Sequence, residues 1–483
     1  MEISNIITLL ISLISLINIV LGIAVIFFER RDVGYTWAWL LILFTVPLVG
    51  FIIYIFLGRQ VRKENFYKLT HFERSDFESA VNRELEAVKE KYSHNDILDK
   101  YSDLIKMNLN SSNAFLTTDN EINIFTTGKE KFDSLFEDIK KAEKEVNIQY
   151  YIIQPDHLGK QLRDLLVQKA KEGVKIRLLF DAIGSKKISP SFFQEIIKND
   201  GEVEVFFPSF LRLINFRINN RNHRKLCIID GTIAYIGGFN VGDEYLGMKK
   251  KFGYWRDTHL RIMGNAVNHI QARFILDWVY SSKDELVTGK EFSFTRVKHN
   301  GNSPVQIVSS GPNSKTEHLK NMYVRLIMSA KKSIYIQTPY FIPDTSFMDA
   351  CKMALLSGVD LRIMIPNKPD HPFVYWATWA FAGELLSYGA KIYLYEKGFL
   401  HAKTIVVDQK ASSVGTTNID NRSFKLNFEV NATIYDETIA GELAHIFNED
   451  MKNCSQLTRE RYSERPLSIK FKEAISRLVS PIL

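Results

Sequence analysis

Two stretches of the chain carry one pattern of chemically capable residues. Asn222 to Asn240 reads NHRKLCIIDGTIAYIGGFN and His401 to Asn418 reads HAKTIVVDQKASSVGTTN, so His-x-Lys-x4-Asp-x6-Gly-x2-Asn occurs twice. With these residue types at a few per cent each, a second match arises by chance with a probability on the order of one in ten thousand. Alternate side chains of an extended strand share a face, which sets His223 beside Lys225 and His401 beside Lys403. An imidazole attacks phosphorus or shuttles a proton near neutral pH, and an ammonium neutralises phosphoryl oxygens. One such pair is half of a phosphate-handling site. Two pairs face to face supply a nucleophile, a general acid and two positive charges around one phosphate.

The elements that must position these residues are duplicated as well. IQYYIIQPD (148 to 156) lines up with IQTPYFIPD (336 to 344), and GVKIRLLFD (173 to 181) with GVDLRIMIP (358 to 366). Each pair brackets a helical stretch such as LGKQLRDLLVQKAKEG, which is the βαβ pattern of an α/β layered domain. The offsets between copies, 188, 185 and 178 residues, place the boundary near Gly301 with small loop differences. CIIDGTIAYIGG reads as two short strands joined at Asp230-Gly231, a favoured hairpin turn. Asp230 is therefore either a turn residue or a supporting carboxylate of the motif, and Asp408 occupies its place without a following glycine. Gly237, Gly238 and Gly415 are expected to let backbone approach a phosphate, with Asn240 and Asn418 offering amide donors to its oxygens. Asp257 follows His223 by 34 residues and Glu429 follows His401 by 28, each in a strand-like run.

A length of 483 residues suits two or three domains, and a formal net charge of +7 favours anionic partners, lipid or nucleic acid. The three scattered cysteines have no metal-ligand spacing and fit a reducing compartment; the eleven histidines lack a helical pair with an acidic neighbour, so no metal is expected. Ile6 to Phe28 and Tyr35 to Leu57 are each 23 residues without a formal charge, long enough to cross a bilayer core of roughly 30 Å. Glu2 in place of a basic front, and no small-residue cleavage site, favour a transmembrane hairpin over a signal peptide. Trp37 and Trp39 suit an interfacial belt, and Pro47 with Gly50 a kink. Arg59, Arg62, Lys63 and Lys68 outnumber Arg30 and Arg31, which places the rest of the chain in the cytoplasm.

Residues 59–112 read as a charged, solvated helical connector. The run from Phe206 to Arg224 interleaves phenylalanine with arginine; beside two membrane spans it is expected to wet the membrane interface, around Phe210, Leu213 and Phe216, rather than stack bases. In the tail, Leu467, Phe471, Ala474, Leu478 and Ile482 fall near one helical face with Lys470, Lys472 and Arg477 off it. That helix would dock on the second lobe or lie on the lipid surface.

The paired motifs resemble the double HKD signature of the phospholipase D superfamily, and with the apolar N-terminus the chain resembles bacterial cardiolipin synthases over most of its length. The resemblance implies an α/β protein of two similar phospholipase D-like α/β/α lobes related by pseudo-twofold symmetry, preceded by an N-terminal transmembrane helical hairpin. The divisions are 1–58 for the hairpin, 59–112 for the connector, 113–300 for the first lobe and 301–483 for the second. The implied reaction converts two phosphatidylglycerol molecules to cardiolipin and glycerol through a phosphatidyl-histidine; membrane-bound phospholipase D hydrolysis is the alternative. His223, Lys225, Asp230, His401, Lys403 and Asp408 would form the catalytic set. Lys225, Lys403, Asn240 and Asn418 would bind phosphate, and Asp257 and Glu429 would orient the imidazoles. The two histidines could exchange roles. The implied partners are membrane phospholipids rather than nucleic acid, with no metal or organic cofactor, at the cell membrane.

Overall fold

The computed structural model describes residues 3–27, 33–45, 50, 53–54, 95–208, 219–282, 301–314 and 316–480. The chain divides into two compact units, Met1–Lys63 with Phe207–Asn220, and Glu64–Phe206 with Arg221–Leu483.

In the larger unit one strand order is used twice. From one edge inward the sheet runs Glu202–Phe206, Lys175–Asp181, Glu145–Tyr150, Leu226–Ile229, Ile233–Gly237, His259–Met263 and Leu116–Phe125. From the opposite edge it runs Lys391–Tyr395, Asp360–Pro366, Ser333–Gln337, Thr404–Val407, Ala411–Gly415, Asn427–Ile434 and Ser303–Ser310, with Cys454–Leu457 added outside. The copies meet where Leu116–Phe125 pairs antiparallel with Ser303–Ser310, Leu116 opposite Gln306. The sheet is thus continuous through the pseudo-twofold.

Each copy contains the βαβ unit that the repeated segments foretell. Glu145–Tyr150 and Lys175–Asp181 are parallel around the helix His157–Lys171, and Ser333–Gln337 and Asp360–Pro366 are parallel around Thr345–Leu356. The repeat also repeats its helix start. Asp156 accepts a hydrogen bond from the Gly159 amide at 3.3 Å and Asp344 from the Phe347 amide at 3.1 Å, satisfying donors that a first helical turn leaves open. Leu158, Leu162 and Leu166 then pack with Ile148 and Ile176, while Phe347, Met348 and Cys351 share a second core with Ile336 and Ile363. Each such side chain contributes about 1.5–3 kcal/mol when fully buried, before chain entropy is counted.

Residues 95–112 are not a solvated connector. The helices Asp96–Lys100 and Ser102–Ser112 bury Leu98, Tyr101, Leu104 and Ile105 in the core of the second copy. Asn108 donates to Gln306 Oε1 at 3.0 Å, and Lys100 Nζ lies 2.6 Å from Asp408 Oδ2. The apolar stripe is narrow and the charges around it conceal it in the sequence.

In the smaller unit the helices Ile3–Phe27 and Val33–Thr45 pack on each other. Asn18 Nδ2 donates to the Leu43 carbonyl at 3.1 Å, and a Cβ added at Gly22 would sit 3.3 Å from the Phe44 ring. Trp37 is exposed, whereas Trp39 is buried edge-on against Tyr54, with ring centroids 5.3 Å apart, so the two tryptophans do not form one belt. Counted over the described residues alone, no helix is long and apolar enough to cross a membrane; side chains of the first helix are described without a break only over residues 7–23. The kink at Pro47, the basic cluster after the second apolar run, and Phe210, Leu213 and Phe216 lie outside the described residues.

Candidate active site

Each motif runs into a sheet strand, Leu226–Ile229 or Thr404–Val407, paired with the hairpin strand that follows it. Just before the motif the chain crosses to the other copy. Arg221 and Asn222 lie parallel to Asn427 and Phe428, and Gly398–Leu400 lies parallel to Tyr254–Arg256. Gly398 permits the second crossing, since a Cβ there would come within 1.9 Å of the Tyr254 carbonyl oxygen. As a result the His223 amide donates to the Phe428 carbonyl at 2.9 Å and the His401 amide to the Arg256 carbonyl at 2.7 Å. Phe428 precedes Glu429 and Arg256 precedes Asp257. Each histidine is delivered to the carboxylate of the opposite copy.

His223 Nδ1 lies 2.9 and 3.0 Å from the two Glu429 oxygens, and His401 Nδ1 lies 2.6 Å from Asp257 Oδ2. A carboxylate at Nδ1 assigns the proton to that nitrogen and leaves Nε2 with its lone pair. The two carboxylates differ in their other partners. Glu429 also accepts from Thr416 Oγ1 at 2.5 Å and from Asn427 Nδ2 at 3.3 Å, whereas Asp257 accepts from the Thr258 amide at 2.8 Å. Gly238 stands where the second copy has Thr416, and a Cβ there would lie 1.9 Å from Asp257 Oδ1. The motif glycines therefore make room for protein groups rather than for a phosphate; Gly415 is likewise closed by Asn431. Tyr151 meets the His223 ring edge-on at 4.9 Å, and Trp255 lies 5.2 Å from the His401 ring.

Lys225 Nζ donates to the His223 carbonyl at 2.5 Å, and Lys403 Nζ to the His401 carbonyl. Burial pushes both imidazoles down to about 4; Glu429 opposes this at His223, and Lys403 reinforces it at His401. Each ring also feels the lysine of the other copy, so the six groups share one field. Burial takes Lys225 well below the ordinary lysine range and Lys403 to about 8. It would raise both carboxyls, but Lys403 and His401 outweigh it at Asp257, and His223 and Lys225 at Glu429, so both sit below the usual range. A buried set of cations and neutral imidazoles gains from an entering anion.

Arg224 points away from its neighbours His223 and Lys225, as strand alternation requires. It reaches Asp277 at 2.6 and 2.5 Å, the Ser310 carbonyl at 3.2 Å and the Glu429 carbonyl at 3.2 Å, all buried. This ties the first motif to the second copy.

Two expected members of the site are not brought to it. Asp230 accepts from the amides of Glu143, Lys144 and Glu145 at 2.8 to 2.9 Å, and Asp408 from those of Lys331, Lys332 and Ser333 at 2.7 to 3.2 Å. Each has a left-handed φ, 52° and 53°, and lies about 17 Å along its strand from the motif lysine. They brace the sheet and do not reach phosphate. Asn240 is engaged at both ends, accepting from the Ile152 amide and donating to Tyr245 Oη, each at 3.1 Å. Asn418 Oδ1 is buried and, among the described residues, has no hydrogen-bond partner, which leaves it an acceptor to spare rather than a donor for phosphate oxygens. Replacing Asp230 or Asp408 by Ala should therefore cost about 2 kcal/mol of stability through lost amide acceptors. Turnover per folded molecule should stay within about twofold; thermal unfolding read beside kcat checks both.

Thr416, Tyr151, Trp255 and the Arg224–Asp277 pair were not foreseen. Thr416 had a signal, the one place in Gly-Gly-Phe-Asn against Gly-Thr-Thr-Asn where a hydroxyl replaces a glycine; Asp277 had another, as a lone acid in an apolar helix.

A continuous sheet with two crossed His-x-Lys halves is the architecture of a two-lobed phospholipase D-like protein. The phosphatidylserine synthase of Haemophilus influenzae Rd KW20 shares the fold at a TM-score of 0.60 and 17% identity, over 80% of this chain and 100% of that one. The family described as cardiolipin synthase, phospholipase D-like domain, matches residues 135–278 and 323–451, and a phospholipase D-nuclease N-terminal family matches residues 10–59. The chain is 52% identical over 479 residues to the major cardiolipin synthase ClsA of Bacillus subtilis strain 168, covering 99% of each. It is 50% identical over 470 residues to the cardiolipin synthase of Staphylococcus aureus strain N315, covering 97% of this chain and 95% of that one. The chain belongs to the cardiolipin synthase family.

Proposed function

We propose that the chain is a membrane phosphatidyltransferase joining two phosphatidylglycerol molecules into cardiolipin and glycerol. The observation that carries this reading is the crossed pair of buried imidazoles, each held at Nδ1 by a carboxylate of the other copy, between two buried lysines. The anionic phosphodiester raises the basicity of the imidazoles it enters between, and one of them takes up a proton. Glu429 shares its charge with Thr416 and Asn427, whereas Asp257 makes the shorter bond to its histidine. We assign His223 as the nucleophile and His401 as the acid, the order that the family resemblance implies; the near-symmetric halves also allow the reverse.

His223 Nε2 attacks phosphorus, the bond from phosphorus to the glycerol oxygen breaks, and His401 Nε2 gives that oxygen its proton. A hydroxyl of the second lipid then loses its proton to His401 and displaces the phosphatidyl group from His223. Lys225 and Lys403 balance the phosphoryl oxygens as charge shifts. The exchange trades one phosphodiester for another, so lipid concentrations set its direction.

The membrane anchor is supported by sequence and by the small unit's packing. The first helix has 25 residues with no charged side chain, about 37 Å at 1.5 Å per residue. Ile7, Leu10, Ile11, Leu13, Leu16 and Val20 face outward, while Asn18 Nδ2 donates to a carbonyl of the partner helix. An apolar exterior with internally bonded polar groups is what a bilayer demands of a hairpin. The hairpin spans twice and leaves the catalytic unit in the cytoplasm, on the side of Arg59, Arg62, Lys63 and Lys68.

Acceptor choice tests the reading. In bilayers with phosphatidylglycerol as the reacting lipid, mass spectrometry should find cardiolipin above phosphatidic acid at every lipid density that supports turnover. Phosphatidic acid as the main product would make the chain a phospholipase with the same residues.

A further inference from the structure

The C-terminal helix Leu467–Leu478 is attached by the face that a soluble helix would show to water. Glu473 and Ser476 are buried, with Ser480 beyond the helix, and Glu473 takes a bidentate pair from Arg465 at 2.8 to 2.9 Å. Neighbouring contacts fix the same orientation. Arg477 reaches Glu384 at 2.7 Å, Lys472 lies over the Trp376 ring at 5.4 Å, and the Tyr462 ring fills the space at Gly383, all on the helix Pro372–Leu386. At 100° per residue, Leu467, Phe471, Ala474 and Leu478 fall about 180° from this docked face. Leu467 is 82% exposed, Phe471 68% and Leu478 76%. A buried Glu–Arg pair is strongly destabilised when one partner loses the other, so the helix cannot roll its apolar side inward.

We propose that this apolar stripe seats in the headgroup and acyl boundary of an anionic bilayer and orients the catalytic unit on it. The charge pattern favours lipid over another protein surface. Exposed Lys470 flanks the stripe, where a long basic side chain reaches anionic phosphates while its stem lies along the apolar layer; Lys472, over Trp376, and Arg477, paired with Glu384, add positive charge beside it. The inference rests on the proposed membrane function only in placing a bilayer beside the protein.

The test uses the full chain with Cys454→Ala and Phe471→Cys, Cys227 and Cys351 being buried. A spin label at 471, in phosphatidylglycerol vesicles, is compared with one at Lys198→Cys, an exposed site on the other copy. The label at 471 should collide with oxygen more than with a water-soluble nickel chelate, and should lose that preference in phosphatidylcholine vesicles at high salt. Nickel access equal to the Lys198 label would overturn the proposal, and shielding from both probes would mean that protein, such as a second copy, covers the stripe. Phe471→Ser with Leu478→Ser should lower turnover in bilayers by about fivefold and leave short-chain lipid in micelles unaffected; equal loss on both would also count against it. Wild-type protein inactive on both substrates would refute the proposed function and leave the label result standing.

Discussion

His223→Ala and His401→Ala each lower cardiolipin formation from phosphatidylglycerol by at least ~10⁴-fold, in protein that still folds. The size follows from residues acting as one unit: removing either the nucleophile or its proton-transfer partner leaves only binding and electrostatics, as in other covalent mechanisms. Folding survives because each imidazole makes one side-chain hydrogen bond, to Glu429 or Asp257, while the strands around it are held by backbone pairing and by Arg224. Mixing the two variants does not restore activity, because both histidines belong to one chain's site. Lipid mass spectrometry over long incubations measures the loss. Activity within tenfold of wild type in either variant, or rescue on mixing, would break the one-site reading.

Glu429→Gln and Asp257→Asn each cost about 10³–10⁴-fold in kcat, although neither residue touches the reacting phosphorus. An amide in place of the carboxylate can hold the wrong tautomer and no longer stabilises the imidazolium, which in serine proteases costs about 10⁴. The crossing makes the effects distinct: Glu429→Gln suppresses attack by His223, and Asp257→Asn suppresses proton transfer by His401. Single-turnover kinetics separates them. The pH dependence carries the same logic. With both imidazoles near 4 in the empty site, the singly protonated enzyme grows scarcer as pH rises, so kcat/KM should fall about tenfold per unit across pH 6 to 8. Bound phosphodiester raises those values, so kcat should hold to higher pH before it falls. Profiles belong to the coupled pair rather than to either ring. A kcat/KM that climbs across that range would contradict the burial argument.

What could be read from the sequence follows from range. The His-x-Lys pairs, the βαβ units and their Asp156 and Asp344 caps are local patterns written twice, and repetition made them visible. The crossing that joins the halves was not legible. It depends on pairings of two and three residues, Arg221 and Asn222 with Asn427 and Phe428, and Gly398–Leu400 with Tyr254–Arg256, too short to leave a periodicity. Asp230 and Asp408 share the motif's spacing with the histidines, yet strand length carries them away from the site into backbone turns. The lowering of both imidazoles in the empty site was not legible either, because burial is a property of the folded unit. Helix 102–112 and the tail helix show the same limit from the other side. A stripe of apolar residues says that a face is special, but whether it meets a core or a bilayer was decided by partners far along the chain, Gln306 in one case and Glu384 in the other.

The covalent intermediate is the most direct test of the central claim that the crossed histidines form one phosphatidyl-transfer centre. Enzyme in bilayers is mixed briefly with phosphatidylglycerol labelled in its phosphatidyl part, quenched, digested and mapped by mass. Acid-labile, base-stable label on the peptide carrying His223, longer-lived in His401→Ala if formation outlasts transfer, is the predicted result. Label on neither histidine while cardiolipin accumulates would contradict it.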